Sequence, residues 1–148
     1  EISLRLVGSE MCIRDSVANE IEPAKRPLSS MTPTIVFDQG EPFLAIGSPG
    51  GSRIITAVLQ IILNVVDFEQ SLEEATGSKR IHHQWYPDDI DIEENYDQLN
   101  QLIDLGYEVD IIDTATCTQS IMIGNGEFIG VSDLRRPDSL ALGVKNDR

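Results

Sequence analysis

Ten of the thirteen residues from Ile54 to Val66 are apolar, and they fall on all sides of a helix rather than along one stripe. Such a helix has no polar face to turn to water, so it is expected to lie sandwiched in a core. It does not read as a membrane span. Thirteen residues fall short of the roughly 20 that a spanning helix needs, and Gln60 and Asn64 interrupt the run. A layered α/β chain is therefore predicted around a helix at about 53–66. A chain of 148 residues is long enough to bury a core of that kind.

The flanking segments supply the strands. Thr34–Phe37 reads as a strand, residues 38–42 as a turn, and Phe43–Ile46 as the return strand of a hairpin. A short helix is predicted at about 71–76, ending at Gly77, a residue suited to a helix C-terminus. Residues 81–85 and 90–93 are expected to be extended. Leu99, Leu102, Ile103 and Leu105 give residues 96–105 helical spacing, and 109–112 reads as a strand. Residues 120–123 and 128–131 are predicted to form a hairpin around Gly124-Asn125-Gly126, where positive φ is easily reached. No internal repeat is visible.

The net charge of -14 is a poor start for a nucleic-acid binder, which needs a basic face, and it disfavours docking on anionic membranes. The charge is uneven. No Lys or Arg occurs from Ile81 to Leu134, a stretch with twelve carboxylates. A solvated acidic face is the expectation there. Asp88, Asp89, Asp91, Glu93 and Glu94 are dense enough to suggest a metal, but the glycine that a calcium loop needs at its sharp turn is missing. Cys12 and Cys117 have no metal-ligand spacing and form no disulfide framework.

Three segments could carry chemistry. Gly47-Ser48-Pro49-Gly50-Gly51-Ser52 feeds the apolar helix. The first amides of a helix lack internal acceptors and sit at the positive end of its dipole. Gly50 and Gly51 would let a reacting carbonyl approach closely. This loop reads either as an anion or oxyanion site, or as a strand-to-helix turn using glycines for shape. It lacks the Gly-Lys-Ser/Thr ending of a phosphate-binding loop. In Lys25-Arg26-Pro27-Leu28-Ser29-Ser30-Met31-Thr32-Pro33, two prolines bracket a Ser pair before a strand. Its hydroxyls could bind a carboxylate, although a loop of this kind is commonly just a loop. His82 and His83 are neighbours on an extended segment and face opposite ways, which suits structural histidines better than a shared metal.

Taken together, these words resemble the small subunit of the γ-glutamyltranspeptidase family. The likeness is carried by Arg26-Pro27-Leu28-Ser29-Ser30-Met31, by residues 47–56 from Gly47 to Thr56, and by Arg80-Ile81-His82-His83-Gln84-Trp85. Thr118-Gln119-Ser120-Ile121-Met122 and Ser132-Asp133-Leu134-Arg135-Arg136 fit its closing strands and C-terminal end. It covers about Val17 to the C-terminus.

The resemblance implies an α/β fold of the N-terminal-nucleophile hydrolase type, an αββα sandwich present here only in part. It implies a precursor that cuts itself, after which the new N-terminal Thr of the small subunit attacks the γ-glutamyl amide of glutathione. The glutamyl group then passes to water, an amino acid or a peptide. Gly50 and Gly51 are implied as the oxyanion hole, and Ser29 and Ser30 as the residues holding the α-carboxylate of the γ-glutamyl group. The implied partners are the large subunit of the same precursor, glutathione and other γ-glutamyl compounds, and amino-acid or peptide acceptors. No cofactor or metal is required, and the implied compartment is periplasmic or extracellular.

One departure matters. The family's nucleophilic Thr precedes the Ser-Ser loop, yet no Thr occurs here before Thr32. Residues 1–16 show no period or caps. Their Ile13-Arg14-Asp15-Ser16 ending reads as translated adapter sequence, so a non-native segment at 1–16 and a partial small-subunit domain at 17–148 are expected. Alone, such a chain should be inactive. The alternative is a non-catalytic anion-binding or structural domain that retains the scaffold.

Overall fold

The computed structural model describes residues 22–26, 29–85, 87–124 and 126–144. The expected non-native segment at 1–16 lies outside the described residues, as does Cys12. Strands β1 (Thr34–Asp38) and β2 (Glu41–Gly47) form the first hairpin. Asp38 pairs with Glu41, leaving a two-residue loop in which Gln39 and Gly40 both take positive φ, as a tight turn between twisted strands demands. A register shift between Val36 and Phe37 marks a bulge, with Pro42 opposite Phe37.

Strands β6 (Gln119–Gly124) and β7 (Glu127–Ser132) make the second predicted hairpin. Its β6 edge pairs antiparallel with β2, giving a four-stranded sheet in the order β1-β2-β6-β7. Helix α1 (Arg53–Val66) covers one face of this sheet. Leu44 and Ile46 from the sheet meet Ile54, Val58, Ile61 and Val65 from α1, with Leu72 and Ala75 from α2 (Leu72–Gly77). Ser71 caps α2. Its hydroxyl accepts from the Glu74 N–H at 3.2 Å, and the Glu74 carboxylate accepts from the Ser71 N–H at 3.0 Å.

The structure corrects the sandwiched-helix expectation. Ile55, Leu59 and Val66 are each about half exposed, so the described residues cover α1 on one side only. The opposite face of the sheet is uncovered as well. Ile35, Ala45, Ile121 and Gly130 lie in one cross-strand row there. That row lines a largely apolar groove of about 910 Å³, flanked by Leu140 and Leu142. One helix layer and one large sheet of a layered fold are thus present among the described residues. Their outer faces carry large exposed apolar side chains.

A second sheet, in the order β3-β4-β5, flanks α1 through β3. Strands β3 (Ile81–His82) and β4 (Ile90–Glu93) pair antiparallel, while β4 and β5 (Val109–Ile112) pair parallel across helix α3 (Leu99–Asp104). Two predicted elements are shorter than expected. The extended run at 81–85 ends at His82, and Trp85 takes a positive φ and turns outward. The helix predicted from 96 starts at Leu99, after Asn95 breaks the chain with positive φ and with no side-chain cap at Gln98. No helix among the described residues is long and apolar enough to cross a membrane.

Candidate active-site loop and its support

The loop of residues 48–52 carries the chain from the end of β2 into α1. Gly50 and Gly51 both take positive φ, +133° and +61°, which an L side chain rarely adopts. The first turn closes with Arg53 N–H donating to Gly50 O at 3.3 Å and Ile54 N–H to Gly51 O at 3.2 Å. Among the described residues, the N–H groups of Gly50 and Gly51 have no hydrogen-bond acceptor. Ser52 makes no side-chain cap, and no acidic residue sits in the first turn of α1. Two unoccupied donors therefore stand where the helix dipole is positive and no carboxylate of the helix's own first turn offsets it. A Cβ on Gly51 would meet nothing within 4 Å, so the space beside it is open.

The structure brings the Ser pair to this loop. Ser30 Oγ donates to Gly51 O at 2.7 Å, twenty-one residues away in sequence. Ser29 Oγ accepts from Met31 N–H at 3.3 Å, and Thr32 Oγ1 donates to Ser30 O at 2.9 Å. Ser29 is exposed and Ser30 half-buried. In this arrangement the Ser30 proton fastens one loop to the other. A carboxylate reaching Ser30 would draw that proton off Gly51 O by rotation of the hydroxyl.

Sequence reasoning missed what lies behind the loop. Arg80 and Asp133 are buried and paired at 2.7 Å. Arg80 also donates to Thr76 O at 3.0 Å, to Thr118 Oγ1 at 3.2 Å and to Thr116 O. Arg135 spans Glu93 at 2.5 Å and Asp133 at 3.1 Å, and it donates to Thr76 O and Ser78 O at the end of α2. Burial alone would raise the Glu93 carboxyl. Hydrogen bonds from Arg135 and the Ala115 N–H, with the Arg135 charge, outweigh it and hold Glu93 below the ordinary range. Asp133 behaves alike: burial pushes it up, while the Arg135 N–H, the Arg80 charge and the Thr118 N–H outweigh that and hold it below the ordinary range. Burial lowers Arg80 from its ordinary value. The acidic stretch is therefore not one solvated face, because Glu93 and Asp133 point inward to these arginines.

The remaining candidates separate. His82 is buried, with Nδ1 at 2.8 Å from Thr56 Oγ1 and Nε2 at 3.2 Å from Gln84, and burial lowers its pKa. His83 is exposed and lies 3.1 Å from Asp88. The two histidines thus separate, one buried and one exposed, although only His82 lies in a strand. Of the carboxylates considered for a metal, Asp89 and Asp91 do gather, with Asp110 rather than with Glu93 or Glu94. Parallel pairing sets Asp91 beside Asp110, and one oxygen from each of the three lies within 4.8 Å of the others. Arg53 already binds Asp91 at 2.5 Å, and a hydrogen bond with Asp89 raises the Asp110 pKa. Cys117 is a free thiol.

The profile of the Gamma-glutamyltranspeptidase family matches residues 7–143. The glutathione hydrolase proenzyme of Escherichia coli (strain K12) is 48% identical over 129 residues, which is 85% of this chain but 22% of that protein. The chain thus spans about a quarter or less of the length of curated relatives such as this one. The solved structure of γ-glutamyltranspeptidase from Pseudomonas nitroreducens complexed with L-DON superposes with a TM-score of 0.80 at 37% identity, over 88% of this chain and 70% of that one. The Bacillus anthracis transpeptidase enzyme CapD shares the fold alone, with a TM-score of 0.68 at 23% identity over 82% and 75% of the two chains. The fold is accordingly the mixed α/β fold of N-terminal-nucleophile hydrolases, and the chain belongs to the γ-glutamyltranspeptidase family.

Proposed function

We propose that this chain is the C-terminal part of the small subunit of a γ-glutamyltransferase and glutathione hydrolase. The single observation that carries the reading is the pair of N–H groups on Gly50 and Gly51 that find no acceptor among the described residues, at the positive end of α1 with open space beside Gly51. Donors held there stabilise the oxyanion that forms when a nucleophile adds to an amide carbonyl. The nucleophile in this reading is the N-terminal Thr of the complete small subunit, with its own α-amine as base. The large subunit of the same precursor completes the site.

Ser29 and Ser30 hold the α-carboxylate of the γ-glutamyl group, at a distance from the hole set by the length of that group. The Ser30–Gly51 bond supports this reading by tying the two loops into one unit. The acyl group leaves glutathione or a related γ-glutamyl compound for the Thr oxygen, and then passes to water, an amino acid or a peptide. The complete protein works in the periplasm or outside the cell, and cell fractionation tests that assignment.

Gly51→Ala in the complete, self-cleaved enzyme tests the hole. The methyl meets no neighbour but enters the space a carbonyl must occupy, and it strains the left-handed backbone. Losing one oxyanion donor lowers turnover about 100- to 1000-fold, and KM should change far less because the donors act on developing charge. Near-normal turnover would leave these glycines as shapers of a turn and favour a non-catalytic scaffold.

A further inference from the structure

We infer that Thr116 is a positioning residue for the reaction: through Pro49 O, its hydroxyl fixes the direction of the Gly50 N–H. This rests on the reading of Gly50 and Gly51 as the oxyanion hole.

The geometry is specific. Thr116 is buried in the connection between β5 and β6, and its hydroxyl donates to Pro49 O. Pro49 O and the Gly50 N–H belong to one planar peptide unit and point in opposite directions. Anchoring the oxygen therefore aims the hydrogen away from Thr116. Without the anchor the unit could swing, because Gly50 carries no side chain to resist it.

The side chain is also a wall. A Cβ on Gly50 would overlap Thr116 Oγ1 and lie 2.8 Å from Thr116 Cβ, so the Gly50 backbone packs straight onto this residue. Ser48 completes the cluster, with Oγ 2.9 Å from Thr116 Oγ1, 2.7 Å from Cys117 O and 2.7 Å from Pro49 O. The two hydroxyls have two protons for Pro49 O, Cys117 O and their mutual contact, so neither is idle. Thr116 is itself held from behind, since Arg80 donates to its carbonyl oxygen. Rigidity thus passes from the buried ion pair to Thr116 and on to the peptide unit that carries the Gly50 donor.

The test separates hydroxyl from bulk. In the complete proenzyme carrying this chain, Thr116→Val keeps the wall and removes the proton, whereas Thr116→Ser keeps the proton and removes the methyl. Thr116→Val should lower kcat about 10- to 100-fold, less than outright loss of a donor, with KM within about threefold, and Thr116→Ser should restore most of the loss. Parent-like kcat in Thr116→Val overturns the inference, as does an equal loss in Thr116→Ser. Should Thr116→Val leave the precursor uncleaved, the subunits are produced separately and kcat is read on the assembled pair, with the same two outcomes. Gly51→Ala, measured alongside, keeps the two readings apart. If it loses turnover while Thr116→Val does not, only the role of Thr116 falls. If it retains turnover, the hole itself falls and takes Thr116 with it.

Discussion

Arg80 and Asp133 meet at 2.7 Å, fifty-three residues apart in sequence, with both side chains almost wholly out of water. One residue precedes β3 and the other follows β7, so the pair ties the small sheet to the end of the large one. Glu93 and Arg135 extend it to four charges that balance in sign.

Removing one member leaves its partner buried and unpaired. Asp133→Ala is expected to destabilise the complete protein by about 3–5 kcal/mol, the usual cost of stranding a buried charge. Denaturant titration measures it, and a change under about 1 kcal/mol, the scale of an exposed pair, would show that water reaches Arg80 when the carboxylate is gone.

Acid should weaken the fold in two steps. His82 has a folded pKa below its ordinary value, so its contribution is present above about pH 6.5 and is lost as pH falls toward that lowered value. Glu93 and Asp133 are also depressed, so theirs is present above about pH 4 and fades as pH falls further. Denaturation midpoints from about pH 8 to about pH 3 will resolve the two parts. In His82→Asn the decline just below about pH 6.5 should shrink while the lower step remains. An unchanged upper step would assign it to another group.

The capping box at α2 makes a smaller prediction. Ser71→Ala removes the acceptor for the Glu74 N–H and should cost about 1 kcal/mol. Because α2 ends where Thr76 O and Ser78 O accept from Arg135, amide exchange should rise at residues 76–80 in this variant. Exchange confined to residues 71–74 would mean that the arginine holds the helix end by itself.

Expressed alone, the 148-residue chain should self-associate and bind a hydrophobic dye. Ile55, Leu59, Val66 and Phe68 lie exposed on the α1 side, and Ile35, Ile121, Phe128, Leu140 and Leu142 on the far side of the large sheet. Continuous apolar patches of more than a few hundred Å² commonly mark interaction surfaces. Ile121→Lys should reduce dye binding. A monomer with a sharp cooperative melt and no dye signal would contradict the expectation.

Local features were legible in the residues. Helix α1 runs over the span its apolar run predicts, and both hairpins stand where their turn residues put them. The glycine loop was legible too, because two adjacent glycines before a helix signal either positive φ or a close approach to the backbone. The burial of Glu93, Asp133, Arg80 and Arg135 was not, since a charged side chain in sequence reads as surface until its distant partner is placed. Nor was Thr116: its role depends on meeting Pro49 across sixty-seven positions. Positive φ at Trp85 and Asn95, near the early end of β3 and the late start of α3, was not legible either, since no glycine announces it.

The pairing of β2 with β6 also sets an order of events. Each hairpin can form from its own neighbours, but β2 and β6 lie far apart in the chain and must find each other across a long loop, a slow step in folding. Gly47 pairs with Gln119 at the end of that ladder, next to Ser48 and Thr116. The glycine loop therefore gains its wall only when the two hairpins zip together to their last rung. Pulsed amide labelling during refolding should show protection of the β2–β6 ladder, up to its last rung at Gly47 and Gln119, arriving after that of the β6–β7 hairpin, and simultaneous protection would refute the order. A chain halted before that rung would hold both glycines but no fixed donor, which makes a correctly aimed Gly50 amide a product of completed folding.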